Sequence, residues 1–225
     1  MLPAEEMLAG ARAVGFDLDG TLIDSAPDLA AAANAALREV GLPELPASRI
    51  LQFIGRGMDA LMDDALQDSG GHAPADAQRR TARQHFRRAY AAQLFERSRV
   101  YPGVRTGLRA LQARRLLLCC LTNKLDDYAE SLLQRAGLRA HFALLLSPGA
   151  PAERKPSPAL LRRACERLGL MPAELLYVGD SALDVQAARA AGCRVVGVTY
   201  GYGGEGLRTA QPDALIDSLV RLAPG

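Results

Sequence analysis

Short apolar runs alternate with longer helical stretches through most of this chain, and the alternation is interrupted once. Ala13-Val14-Gly15-Phe16 has no polar side chain and predicts a short buried strand. Four helical stretches follow: Leu29 to Val40, stopped by Gly41 and Pro43; Ser48 to Ile54; Met58 to Gln67, ending at Gly70-Gly71; and about Ala75 to Phe95. From Ile23 to Arg99 there is no strand pattern, so this region reads as a helical insert. After the turn signal Tyr101-Pro102-Gly103 the alternation resumes. Apolar runs at 116–121, 142–146, 175–178 and 194–198 are separated by helical stretches at 126–136, 157–168 and 182–191, with another helix at 104–114 ahead of them. A last short strand is expected at Ala214-Leu215-Ile216, before a small terminal helix. Strands alternating with helices predict an α/β fold with a parallel sheet and helices on both faces. The expected division is 1–23 with 100–225 as the α/β domain, and 24–99 as the inserted helical domain.

Composition narrows the class more than the fold. The chain has 225 residues, 49% apolar and 23% charged, in the range of a soluble globular protein with one or two domains. A net charge of +2, no Trp and 5% aromatic residues argue against nucleic-acid binding. No stretch reaches the length of a membrane span, and the acidic start Met1-Leu2-Pro3-Ala4-Glu5-Glu6 is unlike a signal peptide. Cys119, Cys120, Cys165 and Cys193 form no CxxC pair, and His72, His85 and His141 are scattered, so no zinc site of usual spacing is expected. These features fit a reducing cytoplasm.

One compositional detail points to chemistry. Of 27 basic residues only Lys124 and Lys155 are lysines. A compact ammonium approaches a crowded anion as a point charge, where a planar guanidinium does not fit. Both lysines lie near strand ends, and so do the other candidate groups. Asp17 and Asp19 follow the first strand, two residues apart, and extended backbone turns both to the same side. Held so close, they call for a cation, a shared proton or solvent. Thr122-Asn123-Lys124 follows the 116–121 strand and Ser147 the next, with Lys155-Pro156 shortly after. Gly179-Asp180-Ser181 follows 175–178, and Asp184 lies one helical turn further. In open α/β sheets the carboxyl ends of the strands form the binding crevice. Clustered carboxylates there suit Mg²⁺, which commonly bridges carboxylate and substrate phosphate. A lysine and a hydroxyl suit the remaining phosphoryl oxygens, and an aspartate in line with phosphorus is a potential nucleophile.

Asp17-Leu18-Asp19-Gly20-Thr21, Thr122, Lys155-Pro156 and Gly179-Asp180-Ser181-Ala182-Leu183-Asp184 resemble, in order and spacing, the four motifs of the haloacid dehalogenase-like phosphohydrolases. The resemblance covers essentially the whole chain. Ser25-Ala26-Pro27-Asp28-Leu29, Ile54-Gly55-Arg56-Gly57, Thr122-Asn123-Lys124 and Thr199-Tyr200-Gly201-Tyr202-Gly203 look more closely like the bacterial phosphoglycolate phosphatases. The resemblance implies a Rossmann-like core with an inserted α-helical cap, and hydrolysis of 2-phosphoglycolate to glycolate and phosphate through an aspartyl-phosphate. It makes Asp17 the nucleophile and Asp19 the general acid and base. Mg²⁺ would be held by Asp17, Asp180 and the backbone carbonyl of Asp19, supported by Asp184. Thr122 and Lys155 would bind the phosphoryl oxygens. By position, Asn123 and Lys124 are candidates to line the crevice, with a simple strand-end cap as the alternative for Lys124. The implied partner is a small phosphorylated metabolite, the protein being a monomer or small homo-oligomer.

Departures within the superfamily refine this expectation. Asp19 disfavours dehalogenation, Leu18-Asp19 in place of Lys-Thr excludes ion-pumping ATPases, and Leu29 stands where related mutases carry a histidine. The approach to Lys155, Ser147 to Arg154, departs from the usual Gly/Asp-rich form. A sugar phosphate such as N-acetylmuramate 6-phosphate, or a broad range of small phosphoesters, is an alternative substrate. A phospho-receiver or non-catalytic binding protein is the alternative of a different class. Arg56 between two glycines is a candidate for a substrate carboxylate, against a plain solvated arginine. Gly201 to Gly206 fits G-x-G-x-x-G, but Pro212 follows with no room for a long helix, so a flexible surface loop is expected there instead. For Asp24 and Asp28 a turn or capping role is expected.

Overall fold

The structure, a computed structural model, describes residues 4–223; 1–3, part of the acidic start, lie outside the described residues. In chain order the elements are β1 (Ala13–Phe16), β2 (Ile23–Asp24), α1 (Ala26–Glu39), α2 (Ala47–Leu51), α3 (Met58–Gly70), α4 (Asp76–Ala92), β3 (Arg99–Val100) and α5 (Val104–Ala113). They continue with β4 (Leu117–Leu121), α6 (Asp126–Arg135), β5 (Leu144–Leu146), α7 (Ala159–Leu168), β6 (Leu175–Gly179), α8 (Ala182–Ala191), β7 (Arg194–Val198), α9 (Gly204–Thr209) and β8 (Ala214–Ile216). The chain divides into two compact units, Met1–Ile23 with Val100–Gly225, and Asp24–Arg99. Among the described residues no helix is long and apolar enough to cross a membrane.

The first unit is built on a six-stranded sheet in the order β5-β4-β1-β6-β7-β8, with every described pairing parallel. From β1 the chain first builds outward through β4 and β5, then returns to the other side of β1 for β6, β7 and β8. The switch in direction falls at β1, where a crevice opens at the carboxyl ends. All residues of β1 and β6 are buried, as central strands covered on both faces require. On one face Leu160, Leu161 and Ala164 of α7 and Val185 and Ala188 of α8 join Leu121, Tyr177 and Val195 in a single core cluster. Each fully buried leucine or valine side chain there is worth roughly 1.5–3 kcal/mol.

The second unit is the helical insert. Pro27 occupies the first turn of α1, where its missing N–H costs nothing. Asp28, also in that turn, is fully buried. Its carboxylate accepts the main-chain N–H groups of Arg97 at 2.9 Å and Ser98 at 3.1 Å, and the Ser98 hydroxyl at 2.5 Å. Asp28 thus ties the beginning of the insert to its end. Arg83 and Arg87 of α4 pair with Asp63 and Asp59 of α3, so the arginine-rich face is partly a seam between helices.

Two expectations are corrected. The insert is not free of strand at its limits: β2 and β3 pair with each other as a two-stranded sheet where the chain enters and leaves it. Two residues are too few to carry a period-two pattern, so the sequence offers no signal for them. Nor is Gly201 to Gly206 a loose surface loop. Its second half starts α9, and Gly201 and Gly203 pack against Asp180: a Cβ on Gly203 would lie 1.9 Å from the Asp180 carbonyl oxygen. Glycine there answers a close approach of two backbones rather than a need for mobility.

Candidate active site

β1 ends in Phe16, and the Asp17 N–H continues its ladder to the Val178 carbonyl at 2.9 Å. The chain then turns tightly, with the Gly20 N–H on the Ile23 carbonyl at 2.9 Å. Gly20 has φ +86°, and a Cβ on it would lie 2.4 Å from Asp180 Oδ2, so both conformation and space demand glycine. The turn therefore brings the first motif against the fourth. Thr21 Oγ1 is 3.4 Å from Asp180 Oδ1, and the Tyr202 N–H donates to Asp180 Oδ2 at 2.7 Å.

Asp17, Asp180 and Asp184 are all buried, and each has a carboxylate oxygen within 4.8 Å of those of the other two. Lys155 Nζ enters this cluster, 2.8 Å from Asp17 Oδ1 and 2.7 Å from Asp184 Oδ1. Its third acceptor is the Tyr177 hydroxyl at 2.9 Å. Asp184 has protein donors on both oxygens, since Oδ2 accepts the Ser181 N–H at 3.0 Å and the Ser181 hydroxyl at 2.6 Å. This is a helix N-cap contact, which explains a carboxylate at the third position of α8.

Electrostatics follow from burial and charge count. Burial first, then the Asp184 charge, raise Asp17, and Lys155 only partly offsets them, so its carboxyl sits up at about 7. Asp180 is pushed well above the carboxylate range by burial and then by Asp184 and Asp17. Burial disfavours the Lys155 ammonium, but Asp17 and Asp184 outweigh it and hold the group above the ordinary lysine range. Three carboxylates facing one ammonium leave two negative charges in a buried site when all are ionised. A hard divalent cation fits that excess, with Asp17 and Asp180 the better placed ligands: each Asp180 oxygen has one protein donor, at 3.4 and 2.7 Å, whereas Asp184 has the Lys155 ammonium on one oxygen and both Ser181 donors on the other.

The remaining predicted residues fall into distinct places. Asp19 Oδ1 and Oδ2 are each 3.1 Å from Lys124 Nζ, whose side chain is 1% exposed. Both lysines of this arginine-rich chain are thus buried against aspartates of the first motif. Thr122 is buried at the end of β4, its Oγ1 accepting the Lys124 N–H at 3.2 Å. The Asn123 amide bonds to the Lys155 main chain, accepting its N–H at 2.8 Å and donating to its carbonyl at 3.1 Å. The Lys155–Pro156 peptide is cis. Ser147 contributes its carbonyl to Arg163 at 2.6 Å, and Glu153 joins Arg163 to the Gly149 N–H, so the unusual approach to Lys155 has its own network. Arg56, flanked by Gly55 and Gly57 with φ +111° and +94°, pairs with Asp64 within the insert. Tyr177 was not among the expected residues. Its signal was a lone hydroxyl in the apolar run Leu175 to Val178.

Residues 14–198 match the sequence profile of the family described as haloacid dehalogenase-like hydrolase. The chain belongs to this family. Curated relatives include a phosphoglycolate phosphatase of Nitrosospira multiformis, 44% identical over 92% of this chain and 92% of its own length. The phosphoglycolate phosphatase of Escherichia coli K12 is 39% identical over 95% of this chain and 91% of its own. Among solved structures, that of a predicted phosphoglycolate phosphatase from Haemophilus somnus 129pt superposes with a TM-score of 0.89 at 35% identity, covering 93% of this chain and 95% of that one. Membership makes the chain a hydrolase on the haloacid dehalogenase-like fold, with the buried carboxylate cluster at the place where members of such folds hold ligands.

Proposed function

We propose that this haloacid dehalogenase-like enzyme is a Mg²⁺-dependent phosphatase whose substrate is 2-phosphoglycolate. The observation that carries the reading is Lys155 Nζ, 2.8 Å from Asp17 Oδ1 within the buried cluster of Asp17, Asp180 and Asp184. Phosphoglycolate is taken from the names of relatives 39–44% identical over more than nine-tenths of this chain. Asp17, Asp180 and the Asp19 carbonyl would hold Mg²⁺, and Asp184 would orient the surroundings. Bound there, the ion would balance the carboxylates and draw charge from the phosphoryl oxygens.

The residues divide the chemistry in two steps. A carboxylate oxygen of Asp17 attacks phosphorus, the P–O bond to glycolate breaks, and Asp19 delivers a proton to the departing alkoxide. Asp19 then takes a proton from water, whose oxygen attacks phosphorus and restores the Asp17 carboxylate. Thr122 Oγ1 and Lys155 Nζ bind the phosphoryl oxygens, and the ammonium counters negative charge that grows in the transition state. Lys124 holds Asp19 in the meantime through its paired oxygens. Four buried free thiols fit the reducing cytoplasm as the enzyme's compartment.

The test is phosphate release from a panel of small phosphomonoesters with and without Mg²⁺. The expected result is Mg²⁺-dependent turnover, with the highest kcat/KM for 2-phosphoglycolate, abolished by Asp17→Asn while the fold persists. A sugar phosphate as the preferred substrate would move the specificity, and no release from any ester would remove the enzyme reading.

A further inference from the structure

An ammonium group carries three N–H donors, and each Lys155 donor has one acceptor: Asp184 Oδ1 at 2.7 Å, Asp17 Oδ1 at 2.8 Å and the Tyr177 hydroxyl at 2.9 Å. The tyrosine hydroxyl has a single proton to give. It lies 2.8 Å from the Leu121 carbonyl and 3.3 Å from Asp184 Oδ1, so the shorter contact takes the proton and an oxygen lone pair faces Lys155. Leu121 immediately precedes Thr122. The Tyr177 hydroxyl therefore joins the strand that carries the threonine to the lysine. Its ring is fully buried and packs over Gly15 of β1, where a Cβ would come within 3.0 Å of it.

We propose that Tyr177 is a positioning residue: with Asp184 it anchors two of the three Lys155 protons, and so aims the third at Asp17 and the phosphoryl group it attacks. The proposal rests on the reading of Lys155 as the phosphoryl-binding ammonium. A short, neutral hydroxyl suits this role because it fixes a direction without adding charge beside the nucleophile. Arginine at position 155 has no equivalent three-fold head, which gives a physical reason for a lysine in a chain that otherwise prefers arginine.

Tyr177→Phe removes only the hydroxyl. The contact it aims is strongest in the transition state, so kcat for 2-phosphoglycolate is expected to fall about tenfold with KM within about twofold of the parent. In the Lys155→Met background the same substitution is expected to have no further effect, because there is no ammonium left to aim. An equal fall in both backgrounds would show a packing role and overturn the proposal. A second measurement does not depend on turnover. The chain has two lysines, so a proton–nitrogen spectrum of lysine ammonium groups contains two signals, and Lys155→Met assigns them. Tyr177→Phe is expected to shift or broaden the Lys155 signal and leave that of Lys124 in place. An unmoved Lys155 signal would overturn the proposal even if the enzyme's substrate proved to be a different phosphoester. Absence of all phosphatase activity with the shift present would instead count against the functional reading alone.

Discussion

The side-chain amide of Asn123 is matched to the peptide of Lys155, accepting its N–H at 2.8 Å and donating to its carbonyl at 3.1 Å. An amide engaged in this way sets where the lysine starts from, while Asp17, Asp184 and Tyr177 set where its ammonium ends. Asn123→Ala removes both bonds and leaves two buried main-chain groups to find other partners, at roughly 1–3 kcal/mol each. A displacement of Lys155 by a fraction of an ångström is enough to lower kcat/KM by about ten- to a hundredfold. Steady-state kinetics decide it; an unchanged kcat/KM would mean that the ammonium contacts alone hold the lysine.

The buried carboxylates predict a linked dependence on pH and metal. Asp17 ordinarily titrates near 3.8 and is raised by burial to about 7. Between those values the folded protein keeps a proton that the unfolded chain has released, so this group's contribution to stability falls as pH rises through that window. Asp180 is displaced in the same direction. A divalent cation bound to the ionised carboxylates reverses the penalty and displaces their protons. Thermal unfolding with and without Mg²⁺ is expected to show a gain of roughly 5–10 °C at pH 8 and little at pH 5. A larger gain at pH 5 would contradict the assignment of the cluster as the metal site.

Asp28 joins the first helix of the insert to its last residues, accepting two main-chain N–H groups and a hydroxyl while fully buried. Asp28→Ala leaves those donors without an acceptor, a loss of about 2–4 kcal/mol. Asp28→Asn keeps one carbonyl acceptor and is expected to lose less. Hydrogen exchange should report the change first at Arg97 and Ser98, and full protection of those amides in Asp28→Ala would refute the role.

Arg56 stands between two glycines with positive φ and is held by Asp64. As the candidate for the glycolate carboxylate, it predicts that Arg56→Ala raises KM for 2-phosphoglycolate about tenfold and leaves KM for a phosphoester without a carboxylate nearly unchanged. Equal changes for both substrates would return Arg56 to an ordinary surface pair.

Most of the alternation of strand and helix was legible because it rests on local rules. Apolar runs such as Leu175 to Val178 and stops such as Gly192, with φ +84°, are written in neighbouring residues. The same is true of the carboxylates, threonine and lysine at strand ends, whose shared position follows from the order of elements alone. β2 and β3 were not legible, because their partners lie on opposite sides of the insert and each is two residues long.

The sequence by itself determined a parallel α/β sheet, a helical insert and the identity of the charged groups at the carboxyl ends, since strand and helix periodicities and motif spacing are properties of the chain. Only the tertiary structure decided which group meets which. Lys124 pairs with Asp19 and Lys155 with Asp17 and Asp184, Asn123 turns to the Lys155 peptide, and Tyr177 and the Tyr202 N–H become partners of the site. These pairings depend on distances of a few ångströms between residues from 22 to 138 positions apart. Such distances are fixed by the register of neighbouring strands and the close packing of backbones at Gly20 and Gly203, which no local pattern encodes.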